Sequence, residues 1–204
     1  MECRAAAEQA VRRDRGLALA LICLMRYAGL RVSEVAALQE PDLVLSPRRG
    51  TAIVRRGKGL KYREIPLVVA PRDPLLRYQD YRRLLAERWA ARALLRRQAP
   101  PVWFCWPEGQ VFLGQHGPLT ERRIRDIVAK IGQAAKLDAP LSPHDLRHTF
   151  ATALLDPWAY GVSRPPLPLT AVQDLLGHAD PATTAIYTKA LPSDLARMLG
   201  EADD

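Results

Sequence analysis

The chain has 204 residues, of which 48% are hydrophobic and 25% charged, the balance of one globular domain with a core of its own. Lys and Arg outnumber Asp and Glu by 30 to 22, a net charge of +8, which favours a polyanionic partner. Cys3, Cys23 and Cys105 are odd in number and far apart, which argues against both a disulfide framework and a zinc site.

Residues from about 8 to 28 are predicted as a helix that ends at Gly29. Its apolar run LALALICLM is too short to span a membrane and too far into the chain for a signal peptide, so a cytoplasmic protein is expected. A second helix is predicted from Ser33 to about Gln39, with Ser33 as its cap and Glu34 in the first turn. Arg31 stands just before it, where a long cation is ordinarily solvated unless other residues meet it. TAIVRR and KYREIPLV then flank GKG as two strands of a hairpin. Pro66 places the second strand at a sheet edge or near its own end.

Residues 74 to 98 are predicted as a long, Arg-rich helix with Leu84, Leu85, Trp89 and Leu94 as core contacts, followed by the loop APPVWFCWPEG. Thr120 caps the next helix, where Ile124, Ile127, Val128 and Ile131 keep i, i+3, i+4, i+7 spacing. In SPHDLRHTFATALL, Ser142 is a cap, Pro143 takes the first helical position and Asp145 completes a capping-box pattern. DPWAYGVSRPPLP is a loop. One short helix then begins after Thr170 and stops at Gly177, and another begins after Asp180. The expected fold is mainly α with a small antiparallel β-sheet, an α+β class.

Three histidines fall in two motifs. His144, Arg147 and His148 share a helix face at i, i+3 and i+4. His178 follows Gly177, with Tyr187 on the next predicted helix. A metal site is a poor fit, because no glutamate follows His144 and cationic Arg147 lies between the two histidines. Around a phosphodiester the same residues make sense. Arginine forks match non-bridging phosphate oxygens and stabilise charge at a pentacoordinate phosphorus. A tyrosine made nucleophilic by its surroundings can attack, and a lysine on a hairpin can protonate the leaving sugar oxygen.

AGLRVSEVAAL, RRGKGLKYREIPL, SPHDLRHTFATALL and VQDLLGHADPATTAIYTKA, in that order, closely resemble the catalytic domain of the tyrosine site-specific recombinases (phage integrases and Xer-type recombinases). The resemblance covers roughly residues 10 to 190. It implies DNA strand cleavage and rejoining through a 3′-phosphotyrosyl intermediate, with no metal and no nucleotide cofactor. By this resemblance Arg31 and Arg147 bind the phosphate, and Lys58 is the general acid. His144 helps accept the tyrosine proton, His178 is a further phosphate contact, Tyr187 is the nucleophile, and Glu34 orients the site.

The basic run Arg55, Arg56, Lys58, Lys61 and Arg63 fits a DNA-facing hairpin. Arg122, Arg123 and Arg125 open a helix against its dipole and are expected to face an anion. The family's N-terminal core-binding domain is absent from the pattern, so residues 1 to 204 are expected to be a single catalytic domain with a tail segment from 189 to 204. The segment 156 to 168 is longer than the short turn expected between the two histidine motifs. Double-stranded DNA is the expected partner, with a mostly monomeric free protein that forms a tetramer on DNA and is nucleoid-associated there. A type IB topoisomerase-like relaxase shares this chemistry. A DNA-binding regulator is the reading of a different class.

Overall fold

The computed structural model describes residues 16–46, 48–55, 62–97, 99, 108–114, 117–163 and 165–177. Along the chain run α1 (Leu17–Ala28), α2 (Val32–Ala37), β1 (Leu43–Leu45), β2 (Gly50–Val54), β3 (Arg63–Pro66), α3 (Val69–Arg96), β4 (Leu113–Gly114), β5 (Gly117–Pro118), α4 (Glu121–Ala134), α5 (Pro143–Leu155) and α6 (Leu169–Leu176). The fold is the expected α+β class, mainly helical with small antiparallel sheets. Among the described residues no helix is long and apolar enough to cross a membrane.

Helix α1 carries the apolar run, and its Leu21, Leu24, Met25 and Ala28 are fully buried. A helix apolar on every side belongs at the centre of a fold. Here α3, α4 and α5 all pack on it. Gly29 closes α1 in the left-handed conformation, at φ 59°. A Cβ at this position would stand 2.2 Å from a ring carbon of Phe150 on α5, so the turn and the helix packing both require glycine. Gly29→Ala is expected to lower stability by at least about 2 kcal/mol, combining left-handed strain with overpacking. Urea unfolding measures this, and an unchanged midpoint would mean that Phe150 yields freely.

The sheet has the order β1-β2-β3, antiparallel throughout. Leu43 lies opposite Ala52, Ala52 opposite Ile65, and Val54 opposite Arg63. Its inward face therefore carries Leu43, Ala52, Val54, Ile65 and also Arg63, all of them buried. As Pro66 foretells, β3 is an edge strand. Strand β1 is not predicted, because three residues are too few to show an alternation.

Several boundaries and contacts depart from expectation. Helix α3 starts at Val69, not at residue 74, and takes Pro74 inside it. Near a helix start a proline has a compatible φ and removes one main-chain bond. Its core contacts also differ, since Leu84 is half exposed and Leu94 largely exposed. The buried stripe is Leu75, Tyr78, Arg82, Ala86 and Ala93. Tyr78 stacks on Phe112 with ring centroids 5.5 Å apart. Arg82 donates to the main-chain oxygens of Gln110 and Val111, and its Nε lies 3.8 Å from Glu40. Burial pushes the Glu40 carboxyl up to about 7, against the pull of a Gln79 hydrogen bond and the charge of Arg82.

The later helices follow the sequence closely. Thr120 accepts from the Arg123 N–H and caps α4, whose Ile124, Val128 and Ile131 are buried. Ser142 and Asp145 form a reciprocal capping box on α5, with Pro143 at its first position. Within the segment 156–168, Trp158–Tyr160 make a 3-10 turn. The guanidinium of Arg26 lies 5.4 Å from the Tyr160 ring centroid, which ties this segment to α1.

Candidate active site

Arg31, not Ser33, occupies the capping position of α2. Glu34 causes the shift: its Oε2 accepts the Arg31 main-chain N–H at 2.8 Å, while its Oε1 accepts the Arg31 guanidinium at 2.9 Å. The side chain of Arg31 remains 26% exposed, whereas that of Glu34 is 4% exposed. The guanidinium is thus anchored from below and still open to a ligand.

Arg63 completes this group and corrects the reading of it as DNA-facing. It is buried, and its two terminal nitrogens donate to Glu34 Oε1 at 3.0 Å and Oε2 at 2.7 Å. The physical reason is strand alternation, which turns Arg63 to the same face as Ile65. Arg55, by contrast, has an exposed side chain paired with Asp42. Arg122, Arg123 and Arg125 are exposed on the first turns of α4, where Arg125 pairs with Glu121 at 2.7 Å.

Burial pushes the Glu34 carboxyl up, but hydrogen bonds from Arg63 and from the Arg31 N–H outweigh it and hold the group below the usual carboxylate range. The folded state then binds fewer protons than the unfolded one as pH falls, so this contribution is present above the unfolded value and is lost on acidification. Glu34→Gln is expected to cost about 3 kcal/mol at neutral pH. The gap to wild type should narrow below about pH 4. Unfolding curves across pH test this, and a gap constant down to pH ~2 would mean that Glu34 is not held ionised.

Arg147 is buried on α5, while His144, at the start of that helix, is exposed. Arg147 donates to the main-chain oxygen of Gly29 and, at 2.7 Å, to that of Leu176. Arg31 donates to Gly177 O at 3.1 Å, and Arg63 to Leu175 O at 3.0 Å. Three arginines from three distant segments therefore meet on successive carbonyls at the carboxyl end of α6. The helix stops at Gly177, as predicted, and that residue adopts the left-handed conformation, at φ 63°. Exposed His148 lies one turn beyond His144, its Nδ1 3.3 Å from Thr152 Oγ1. Lys58, His178, Tyr187, Arg56 and Lys61 lie outside the described residues, as does the tail.

The family resemblance gives Glu34 an orienting role, but nothing in the sequence reading gives that carboxylate Arg31 or Arg63 as its partners. Ile65 and Leu67, two and four positions on, were the signal that Arg63 points inward.

A partly exposed arginine and a buried one thus meet at the end of the helix that precedes the His178 and Tyr187 motifs in sequence. The chain belongs to the phage integrase family, whose sequence pattern it matches over residues 5–193. It is 35% identical over 180 residues to the tyrosine recombinase XerC of Bacillus pumilus, covering 87% of this chain and 51% of that protein. Its structure is similar to that of the XerA recombinase, with a TM-score of 0.70 at 25% identity, covering 100% of this chain and 63% of that one. It is also similar to the XerH site-specific recombinase bound to difH substrate in a pre-cleavage complex, with a TM-score of 0.63 at 26% identity, covering 97% of this chain and 51% of that one. The chain spans about half the length of the XerC relative it matches.

Proposed function

We propose that this chain is the catalytic domain of a site-specific recombinase, cleaving and rejoining double-stranded DNA through a 3′-phosphotyrosyl link to Tyr187. The observation that supports this best is the meeting of Arg31 and Arg147 at the end of α6, the helix that leads in sequence to His178 and Tyr187. Similarity to a relative captured on its difH substrate supports the same reading.

In this mechanism the two guanidinium groups hold the non-bridging oxygens and offset the charge that builds up on phosphorus. Tyr187 attacks the phosphorus, with His144 accepting its proton and His178 adding a phosphate contact. Lys58 protonates the departing 5′-oxygen. The phosphotyrosine conserves the energy of the broken bond, so rejoining needs no nucleotide cofactor. Arg55, Arg56 and Lys61 on the hairpin side, with Arg122, Arg123 and Arg125 on α4, hold the DNA backbone. Such contacts fix register without reading sequence.

Incubation with a nicked duplex carrying a recombination site of the difH kind tests the proposal. An SDS-resistant protein–DNA adduct is expected. Retention of DNA with no adduct would make the chain a DNA-binding regulator instead. Relaxation of supercoiled plasmid without recombinant product would make it a relaxase.

The free protein is proposed to be mostly monomeric, a tetramer forming on DNA at the nucleoid. The spacing of Leu195, Met198 and Leu199 in the tail PSDLARMLGEADD fits one face of a helix of about two turns, and a helix this short is marginal in water without a docking surface. Sedimentation at micromolar concentration is expected to give a monomer. A stable tetramer without DNA would show that subunit contacts need no alignment by the duplex.

A further inference from the structure

We propose that Arg63 is a positioning residue of the strand-cleavage reaction: acting through Glu34 and the main chain of α6, it locks the hairpin strand, Arg31 and the approach to His178 into one unit. This inference rests on the recombinase reading above.

Three observations carry it. First, Arg63 sits on the buried face of β3 and its side chain is 8% exposed, so it is poorly placed to hold a DNA phosphate. Second, Glu34 accepts four hydrogen bonds, two from Arg31 and two from Arg63. These fill the acceptor sites of a carboxylate. The position of Arg31 is thus referred, through one carboxylate, to a strand of the hairpin. Third, Arg63 also holds Leu175 O at 3.0 Å, and a Cβ on Gly177 would stand 3.0 Å from its Nη1. The helix end is packed directly on this guanidinium.

The last carbonyls of a helix have no partner within it. At the end of α6 the carbonyls of Leu175, Leu176 and the capping Gly177 are taken up by Arg63, Arg147 and Arg31. Arg31 and Arg147 have a second task, because a bound phosphate draws on the same guanidinium groups. Arg63 has no such competitor. It is the cap that persists when DNA arrives, and it keeps the end of α6, which precedes His178 and Tyr187 in sequence, in fixed relation to β3, which follows Lys58 in sequence. Lysine cannot reproduce this, since a point charge lacks the fork that engages two carboxylate oxygens and a carbonyl together.

The test uses the full chain with Arg63→Met and Arg63→Lys. Adduct formation at saturating nicked duplex is expected to slow about 100-fold for Met, the scale of a small misplacement of reacting groups. Lysine, which keeps the charge opposite Glu34, should restore part of that rate. The dissociation constant for the duplex is expected to stay within about threefold of wild type, because no phosphate contact is removed. In the DNA-free protein, hydrogen exchange should quicken across Leu175 to Gly177 while the α1 peptides keep their protection.

Weaker DNA binding with an unchanged saturated rate would make Arg63 a DNA contact and overturn the proposal. So would unchanged exchange at the end of α6. Should wild type form no adduct, the recombinase reading fails, and the exchange measurement then decides whether Arg63 holds the helix end. Should the Met variant lose protection throughout, the Lys variant carries both measurements.

Discussion

Tyr187→Phe is expected to abolish the SDS-resistant adduct, a loss of more than about 1000-fold, because no other group supplies the attacking oxygen. Affinity for the same duplex should remain within about threefold, since the proposed mechanism gives the phosphate contacts to arginines rather than to the phenol. A phenol ionises only near pH ~10 on its own, so the attack also depends on a proton acceptor, for which His144 is exposed and available on α5. An adduct that persists in the Phe variant would remove Tyr187 from the mechanism.

The second large effect is expected at Lys58. Lys58→Ala should slow cleavage of ordinary DNA by about 100-fold or more, the usual contribution of a general acid. A duplex with sulfur at the 5′-bridging position should recover most of that loss, because a thiolate leaves without being protonated. Absence of rescue would assign Lys58 to a phosphate contact, or hand the role to Lys61.

Where the sequence was informative, the information was local. Ser142, Pro143 and Asp145 specify the start of α5 within four residues, and the structure has that cap. The same holds for Thr120 and the apolar spacing along α4. One departure involves a charged group whose partners are remote in the chain. Arg82 is buried because Glu40 and the carbonyls of Gln110 and Val111 come to meet it. Nothing near Arg82 in sequence announces them, so the core contacts expected on this helix are Leu84, Leu85, Trp89 and Leu94, of which Leu84 and Leu94 are exposed. Arg63 is a different kind of error. Its neighbours did carry the signal, but a run of basic residues was read as one surface although a strand alternates its sides. The convergence of Arg31 and Arg147 was legible only through the family resemblance, since composition and periodicity say nothing about two arginines meeting across the fold.

Helix α1 has a consequence for how the chain is made. It is synthesised ahead of α5, one of the helices that cover it, which ends only at Leu155. During translation, at about 5–20 residues per second, an almost wholly apolar helix waits several seconds for its lid. The interval is set by the order of elements along the chain, and substitutions on α5 cannot shorten it. Chaperone demand should therefore track the delay between α1 and α5, and slow codons placed between them should raise aggregation of the nascent protein without changing the stability of the finished fold.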